Sequence, residues 1–269
     1  MRFARPYVSV FLSLVVAIPL FAQQATPTPQ RDLQAVTAVQ GALTALGGTA
    51  QPTPTTIVGS GTYTRFLAGS SISYALRVEV SGFDKFRWQV DTPDLGTVTT
   101  VVSGTASWSQ SAEGTEQIPV GEIPGKTLES FPVLALANWT NSATVGLKMV
   151  GSETIAGEAV YHITVTPTLS GNTDPKRESV YETTHQREVY LDQQTNLPVR
   201  LRYYRHPIDW RVGVAVDVEY SNFQTVGGIS FPMTITTYLG DKMLTQMQFQ
   251  ALNLNTSVAE SDFVQGATQ

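Results

Sequence analysis

The sequence predicts a mainly β (α+β) fold: a large, curled antiparallel sheet of about ten to twelve strands, with helices on its concave face. Apolar and polar residues alternate along much of the chain, as in 72–81 and 85–90. Such alternation is typical of antiparallel strands with one solvated face. Two other segments repeat their apolar residues every three or four positions, as helices do. Because a sheet of this size must curl or be covered, we expect the helices to lie across its inner surface.

The first residues of the chain have the layout of a secretory signal peptide. Two arginines precede an apolar run over 7–21, and Ala22 precedes a Pro-rich stretch. This pattern predicts a signal peptide over 1–22 and a flexible linker over 23–31. The apolar run is shorter than the about 20 residues that span a bilayer, and an uncleaved N-terminal anchor is the alternative. We therefore expect a periplasmic or secreted protein.

Composition narrows the class further. The chain has 269 residues, no cysteine and a formal net charge of −5. Without cysteine it can form no disulfide and cannot be lipidated through a cysteine, so its core alone must hold it together. A mildly acidic chain has no electrostatic reason to bind nucleic acid or an anionic membrane surface. The length suits one large β domain, which we place at 32–265.

The elements follow from the spacing of apolar residues. The first helix is predicted at 33–46, ends at Gly47-Gly48, and has on one face Leu33, Val36, Val39, Leu43 and Leu46. A second, apolar helix is predicted near 126–140, with Pro132 near its start. A long exposed loop is expected over 168–184. Strands are predicted at 72–81, 85–90, 98–102, 106–109, 146–154, 159–166, 187–192, 198–205, 213–221, 229–239 and 242–254.

Several short motifs occur in a distinctive order. The N-terminal part contains the helix that ends in Gly47-Gly48, then Phe86-Arg87-Trp88, and then Trp108 after a turn at Gly104. The C-terminal series is Val189-Tyr190-Leu191-Asp192, Thr195, Leu197-Pro198, Tyr220, Gly227-Gly228, Phe231-Pro232 and Asn253-Leu254-Asn255. In this order and spacing, over nearly the whole mature chain, the sequence resembles the LolA-type superfamily of bacterial periplasmic proteins. That superfamily includes lipoprotein carriers and related lipid-binding regulators.

The resemblance implies a half-barrel whose inner helices cover a space for acyl chains. In the lipoprotein carriers an arginine on an early strand latches the helical lid, whereas the corresponding stretch here, Ser81-Gly82-Phe83, has none. The expected ligand-binding walls are Leu76, Val78, Phe86, Trp88, Trp108, Phe131, Leu134, Leu136 and Trp139. The alternative is that these residues form a closed core without a ligand, since apolar strand residues usually only pack.

The sequence contains no motif of an enzyme or a metal centre. It lacks the Gly-x-Ser-x-Gly nucleophile turn. The histidines, His162, His185 and His206, have no metal-ligand spacing. We therefore predict no catalytic residue, no metal and no cofactor. His162 is expected to face solvent, and Asp192 is expected to bond its own turn.

Arg200 and Arg202 form the most unusual polar cluster, on one face of a predicted strand. One interpretation is ion pairing with Glu188 or Glu219 across the sheet. The other is an anchor for a lipid headgroup or an acidic partner. Asp217 and Glu219 are expected on a solvated face.

These features favour an exported, non-enzymatic binder or carrier of a hydrophobic ligand, held between the curved sheet and the inner helices. The expected partners are a lipid or acyl chain, and an envelope lipoprotein or a membrane-bound protein. Nucleic acid and metal are not expected. The alternative function is a cell-envelope protein-interaction or sensor module, which would bind through an exposed sheet edge or the 168–184 loop.

Overall fold

The computed structural model describes residues 29–104, 106–118, 130–169, 174–205 and 213–264. The predicted signal peptide, 1–22, and the first part of the predicted linker lie outside the described residues. The rest of that linker is already part of the fold, because the carbonyl of Gln30 accepts a hydrogen bond from the Leu147 amide at 2.9 Å. Arg31 forms an isolated bridge to the same residue. The predicted linker is therefore too long at its C-terminal end.

The described residues form one open, curled antiparallel sheet of thirteen strands, which confirms the predicted fold class with one strand more than expected. The strands are β1 Thr56–Leu67, β2 Ser70–Ser81, β3 Lys85–Thr92, β4 Gly96–Ser103, β5 Ala106–Ser111, β6 Gly114–Gln117, β7 Val145–Ile155, β8 Glu158–Pro167, β9 Arg187–Asp192, β10 Pro198–Arg205, β11 Val214–Val226, β12 Ile229–Leu239 and β13 Lys242–Leu254. Their order is β6-β5-β4-β3-β2-β1-β13-β12-β11-β10-β9-β8-β7. The sheet therefore consists of two meanders that join where β1 meets β13.

The junction strand β1 is absent from the predicted strands because its core-facing side carries glycines. A β-carbon on Gly61 would lie 2.0 Å from the carbonyl oxygen of Gln248, so only glycine allows the two backbones to approach this closely. The register between β1 and β13 also shifts between Ser60 and Gly61. Glycine inside a strand commonly marks such a bulge or close approach, and it removes the apolar alternation by which strands are recognised.

The helix α1, Leu33–Ala45, agrees with the predicted first helix, and Gly47 ends it at a φ of 82°. Its buried face differs from the prediction, because Leu33 is 82% exposed whereas Ala35, Val39, Ala42 and Leu43 are buried. The small alanines let α1 pack closely against the second helix and β7. The prediction for Leu33 was wrong because this residue begins the helix, beyond that packing surface.

The second predicted helix is also observed, as α2, Pro132–Asn141, with proline in its first turn. Nearly all of its residues are buried, and they form one hydrophobic core with α1 and one face of the sheet. That face is the inner face of the curled sheet. The two apolar helices therefore cover its concave side.

The predicted exposed loop over 168–184 is wrong in part, because a third helix, α3, occupies Pro175–His185. Asp174 caps it by accepting a hydrogen bond from the Lys176 amide at 3.0 Å, and Pro175 occupies the first turn. The helix packs beside β8 and β10 but buries none of its residues. A helix without an apolar stripe carries no helical period in its sequence, so the prediction missed it.

Candidate functional site

The inner face of the sheet contains a partly open cavity of about 180 Å³. It lies where β1, β3 and the β10–β13 meander approach one another, beyond the N-terminal end of α2. Apolar and aromatic side chains form most of its wall. The described lining residues are Tyr63, Phe86, Trp88, Ser130, Tyr203, Arg205, Val216, Val218, Ile235, Thr237, Leu244, Thr245 and Met247.

Eight of the nine residues predicted as ligand-binding walls lie in or against the inner core, and two of them line this cavity. Those two are Phe86 and Trp88, and the Trp88 ring contacts Tyr63 edge-on at 4.7 Å. Leu76 and Val78 belong to the same core on β2, without lining the cavity.

The four predicted wall residues on or next to α2 lie in a closed part of the core. Phe131, Leu134, Leu136 and Trp139 are each at most 5% exposed. The void found between α2 and the sheet, lined in part by Leu136 and Trp139, measures about 10 Å³. Such a void holds one water molecule at most. Beneath α2 these side chains are therefore closely packed, as in the alternative of a core without a ligand. The cavity lies beyond the N-terminal end of α2.

Trp108 is the predicted wall residue that the structure places elsewhere. It lies on the outer face of the sheet, in a separate small cluster with Val101 and Phe263. The register explains the difference: Trp88 pairs with Thr100, whereas Trp108 pairs with Val101, the next residue along β4. Thr100 and Val101 are neighbours on β4, so their side chains point to opposite faces of the sheet. Trp88 and Trp108, which pair with them, therefore lie on opposite faces as well.

Sequence reasoning missed most of the actual cavity wall. The missed residues come from β1, whose glycines hide its period, from the four strands β10 to β13, and from Ser130 just before α2. Val216 and Val218, for example, lie on one face of β11, opposite Asp217. The alternation along these strands does identify the inner face, but only the strand order reveals which of these residues meet β1 and β3.

The cavity wall carries a few polar groups among its apolar ones. The indole Nε1 of Trp88 and the hydroxyl of Ser130 are buried and have no hydrogen-bond partner in the described part of the chain. Burial also raises the pKa of the Tyr63 hydroxyl above its usual value. Arg205 is the one described lining residue with a formal charge.

Arg31 fastens the C-terminal end of α2 to the N-terminal segment. Its guanidinium donates to the carbonyls of Trp139 at 3.1 Å, Thr140 at 3.1 Å, Ser142 at 2.8 Å and Val145 at 2.9 Å. The carbonyls of Trp139 and Thr140 belong to the last turn of α2, where they have no partner within the helix, and a cation there also suits the helix dipole. Arg31 therefore stabilises the end of α2 that lies away from the cavity.

The outer face of the sheet carries the arginine cluster. Arg200 donates to Glu219 at 2.6 Å, and Arg202 forms two hydrogen bonds with Asp217, at 2.6 and 2.9 Å. The pairing interpretation is thus observed for Arg200 and Glu219, and both arginines lie on the face opposite the cavity. The expected solvated position of Asp217 is wrong, since this residue is only 8% exposed.

His162 is also buried on the outer face, contrary to the prediction. Its ring stacks on Tyr190 at 4.5 Å, and its Nδ1 lies 2.6 Å from the Glu153 carboxylate. Long polar side chains cover one another on this part of the outer face, so alternation alone does not indicate exposure there. His185 lies at the end of α3, and His206 lies outside the described residues.

Two carboxylates on the outer face have lowered pKa values. Burial opposes the ionisation of Glu79, but hydrogen bonds and charge from Arg77 and Arg87 outweigh it and hold the pKa below its usual value. Hydrogen bonds from the Thr195 hydroxyl and amide lower the pKa of Asp192, which confirms the predicted turn role of that residue.

The described residues contain no group of three or more histidine, aspartate or glutamate side chains that could hold a metal ion. Within the same part of the chain, no helix is long and apolar enough to cross a membrane.

The site and the fold together define a class: open, curled antiparallel sheets with apolar helices on the inner face. A LolA superfamily protein from Nitrosomonas europaea matches 86% of this chain and 97% of its own, with a TM-score of 0.54 and 16% identity. A domain from Vibrio parahaemolyticus, described as an outer membrane lipoprotein-sorting protein, matches 86% and 96%, with a TM-score of 0.57 and 13% identity. A DUF1329 family protein from Desulfovibrio piger matches 87% and 99%, with a TM-score of 0.56 and 15% identity. The chain therefore has a LolA-like fold.

At the level of sequence, no protein-family profile matches the chain, and no curated protein matches it. The likeness in structure therefore concerns the fold alone.

Proposed function

We propose that this protein is an exported, non-enzymatic binder or carrier of a hydrophobic ligand, a lipid or an acyl chain, held on the inner face of the sheet. The single observation that carries the proposal is the partly open, mostly apolar cavity of about 180 Å³ beside α2. Each methylene buried there contributes roughly 0.8 kcal/mol, so hydrocarbon alone supplies binding energy. The predicted signal peptide and the single domain over 32–265 belong to the same proposal, as does its location in the periplasm or outside the cell.

The size of the cavity limits what enters the structure as it stands. An apolar cavity of roughly 150 Å³ accepts one benzene molecule, and typical ligand pockets measure roughly 300–1,000 Å³. The cavity of about 180 Å³ therefore accepts a short hydrocarbon segment. A longer chain that ran beneath α2 would displace that helix, because the void found there measures about 10 Å³.

Two measurements test the proposal. The mature chain is purified from cells and extracted with organic solvent, and mass spectrometry then identifies any lipid. Uptake of a fluorescent fatty-acyl probe is measured in parallel. We expect a bound lipid, saturable uptake of the probe, or both; a protein that yields no lipid and takes up no probe would refute the proposal.

A blocking variant locates the binding site. Thr237 lines the cavity, so Thr237→Phe fills it and should lower uptake of the probe at least tenfold. Thr234→Phe is the matched control, because Thr234 is half-buried on the same strand and lies on the opposite face. Equal uptake by both variants and the wild type would place the ligand elsewhere.

The second candidate function is a protein-interaction module. It is favoured by the edge strand β6, all four of whose residues are exposed. An exposed edge offers backbone groups to an added strand, and proline blocks such pairing. Loss of a specific envelope complex in Thr115→Pro, with uptake of the acyl probe unchanged, would favour this function.

A further inference from the structure

Two buried polar groups in the cavity wall have no hydrogen-bond partner among the residues that the structure describes. The Trp88 Nε1 and the Ser130 Oγ are inaccessible to solvent and make no hydrogen bond with any described residue. Ser130 is only 1% exposed, yet both residues line the cavity. An indole N–H can only donate, and a serine hydroxyl can donate or accept. Leaving such groups unsatisfied destabilises a protein, so native structures rarely do it without a reason.

Among the described residues that line the cavity, Arg205 alone carries a formal charge. Arg205, at the end of β10, is exposed and forms no ion pair with any other described residue. Arg200 and Arg202 on the same strand are paired with carboxylates on the outer face. The described cavity wall therefore combines unmet donors with a cation and contains no carboxylate.

We propose that the cavity selects a single-chain acidic amphiphile, whose headgroup oxygens accept hydrogen bonds from Trp88 and Ser130 and meet the charge of Arg205. The hydrocarbon next to the headgroup would pack against residues such as Phe86, Val218 and Met247. This inference rests on the proposed function and adds the chemical class of the ligand. The shared feature is an oxyanion on a hydrocarbon chain, either a carboxylate or a phosphate.

The test uses four ligands with the same hydrocarbon chain: decanoate, decyl phosphate, decanol and decylamine. Their affinities for the mature protein are measured by displacement of a fluorescent acyl probe, below the concentration at which the ligands aggregate. Because a hydrogen bond to a charged group contributes more than a neutral one, we expect the better oxyanion to bind about tenfold more tightly than decanol. Decylamine should bind most weakly. Comparing the affinities of decanoate and decyl phosphate shows whether a carboxylate or a phosphate headgroup fits better.

Three variants assign the preference to residues. Arg205→Gln should remove most of the oxyanion preference while leaving the affinity for decanol within about twofold. Arg177→Gln is the control, because Arg177 is exposed on α3, away from the cavity. Trp88→Phe keeps a ring but removes the donor, so it should weaken the oxyanions and decanol more than decylamine.

The outcomes separate the two proposals. If neither decanoate nor decanol binds, the proposed function fails. If all four ligands bind equally and Arg205→Gln changes none of them, the hydrocarbon site stands and the headgroup assignment is overturned. If Trp88→Phe weakens all four ligands equally, the lost contact is with the hydrocarbon chain, and the role of Trp88 as a hydrogen-bond donor is overturned.

Discussion

Replacing Arg31 by alanine should destabilise the protein by about 2–4 kcal/mol, since hydrogen bonds from charged groups contribute roughly 1.5–3 kcal/mol each. Of its four hydrogen bonds to carbonyls, those to Ser142 and Val145 are the shortest, at 2.8 and 2.9 Å. The estimate counts the free energy of these two hydrogen bonds. It then subtracts the part that is regained when water bonds the carbonyls exposed by the substitution, which gives the stated range. The stated range of about 2–4 kcal/mol includes roughly 0.3–1 kcal/mol for the loss of the cation at the end of α2.

Urea-induced unfolding, followed by circular dichroism, measures this loss. Arg31→Lys keeps the charge but not the planar set of donors, so it should recover less than half of the lost free energy. Arg177→Ala is the control, since substitutions at exposed positions usually change stability by less than about 0.5 kcal/mol. If Arg31→Ala stays within about 0.5 kcal/mol of the wild type, the stabilisation of α2 by this side chain is refuted.

Three further substitutions test other parts of the fold. Glu79 has a lowered pKa in the folded protein, so the wild type should be more stable than Glu79→Gln at neutral pH. This difference in the free energy of unfolding should decrease as the pH falls below about 4.3. Unfolding measured at several pH values tests this expectation. Gly61→Ala should cost about 3 kcal/mol by thermal or urea unfolding, because its β-carbon meets the Gln248 carbonyl, whereas Ser60→Ala should be nearly neutral. Asp192→Asn should lower stability by about 1 kcal/mol at neutral pH, and the difference should vanish in acid.

The fold was largely predictable from the sequence because most strands have one apolar and one polar face. The helices α1 and α2 were equally visible, since both bury apolar residues at helical spacing. The strand β1 and the helix α3 were not. The inner side of β1 carries Gly59 and Gly61 in place of large apolar side chains, and α3 buries no residue. Both lack the period on which such predictions depend.

The candidate site was predictable only in part, because strand alternation does not reveal register. Phe86 and Trp88 were assigned to the inner face and lie there, whereas Trp108 was assigned to it and lies outside. One step in the pairing of β4 separates the two tryptophans. The unmet donors of Trp88 and Ser130 depend on what surrounds them in three dimensions, so no sequence pattern could identify them.

The position of β1 beside β13 has a consequence for how the chain reaches its native state. The backbone amide of Thr55 bonds the side chain of Asn255, 200 positions later. The two meanders of the sheet therefore cannot join until the ribosome has made β13. A nascent chain that stops before β13 contains two separate parts of the sheet. Each part has an unpaired edge strand that can pair with another chain. Contacts between such distant positions also make folding slow, so the newly made protein stays open to chaperones well beyond its synthesis.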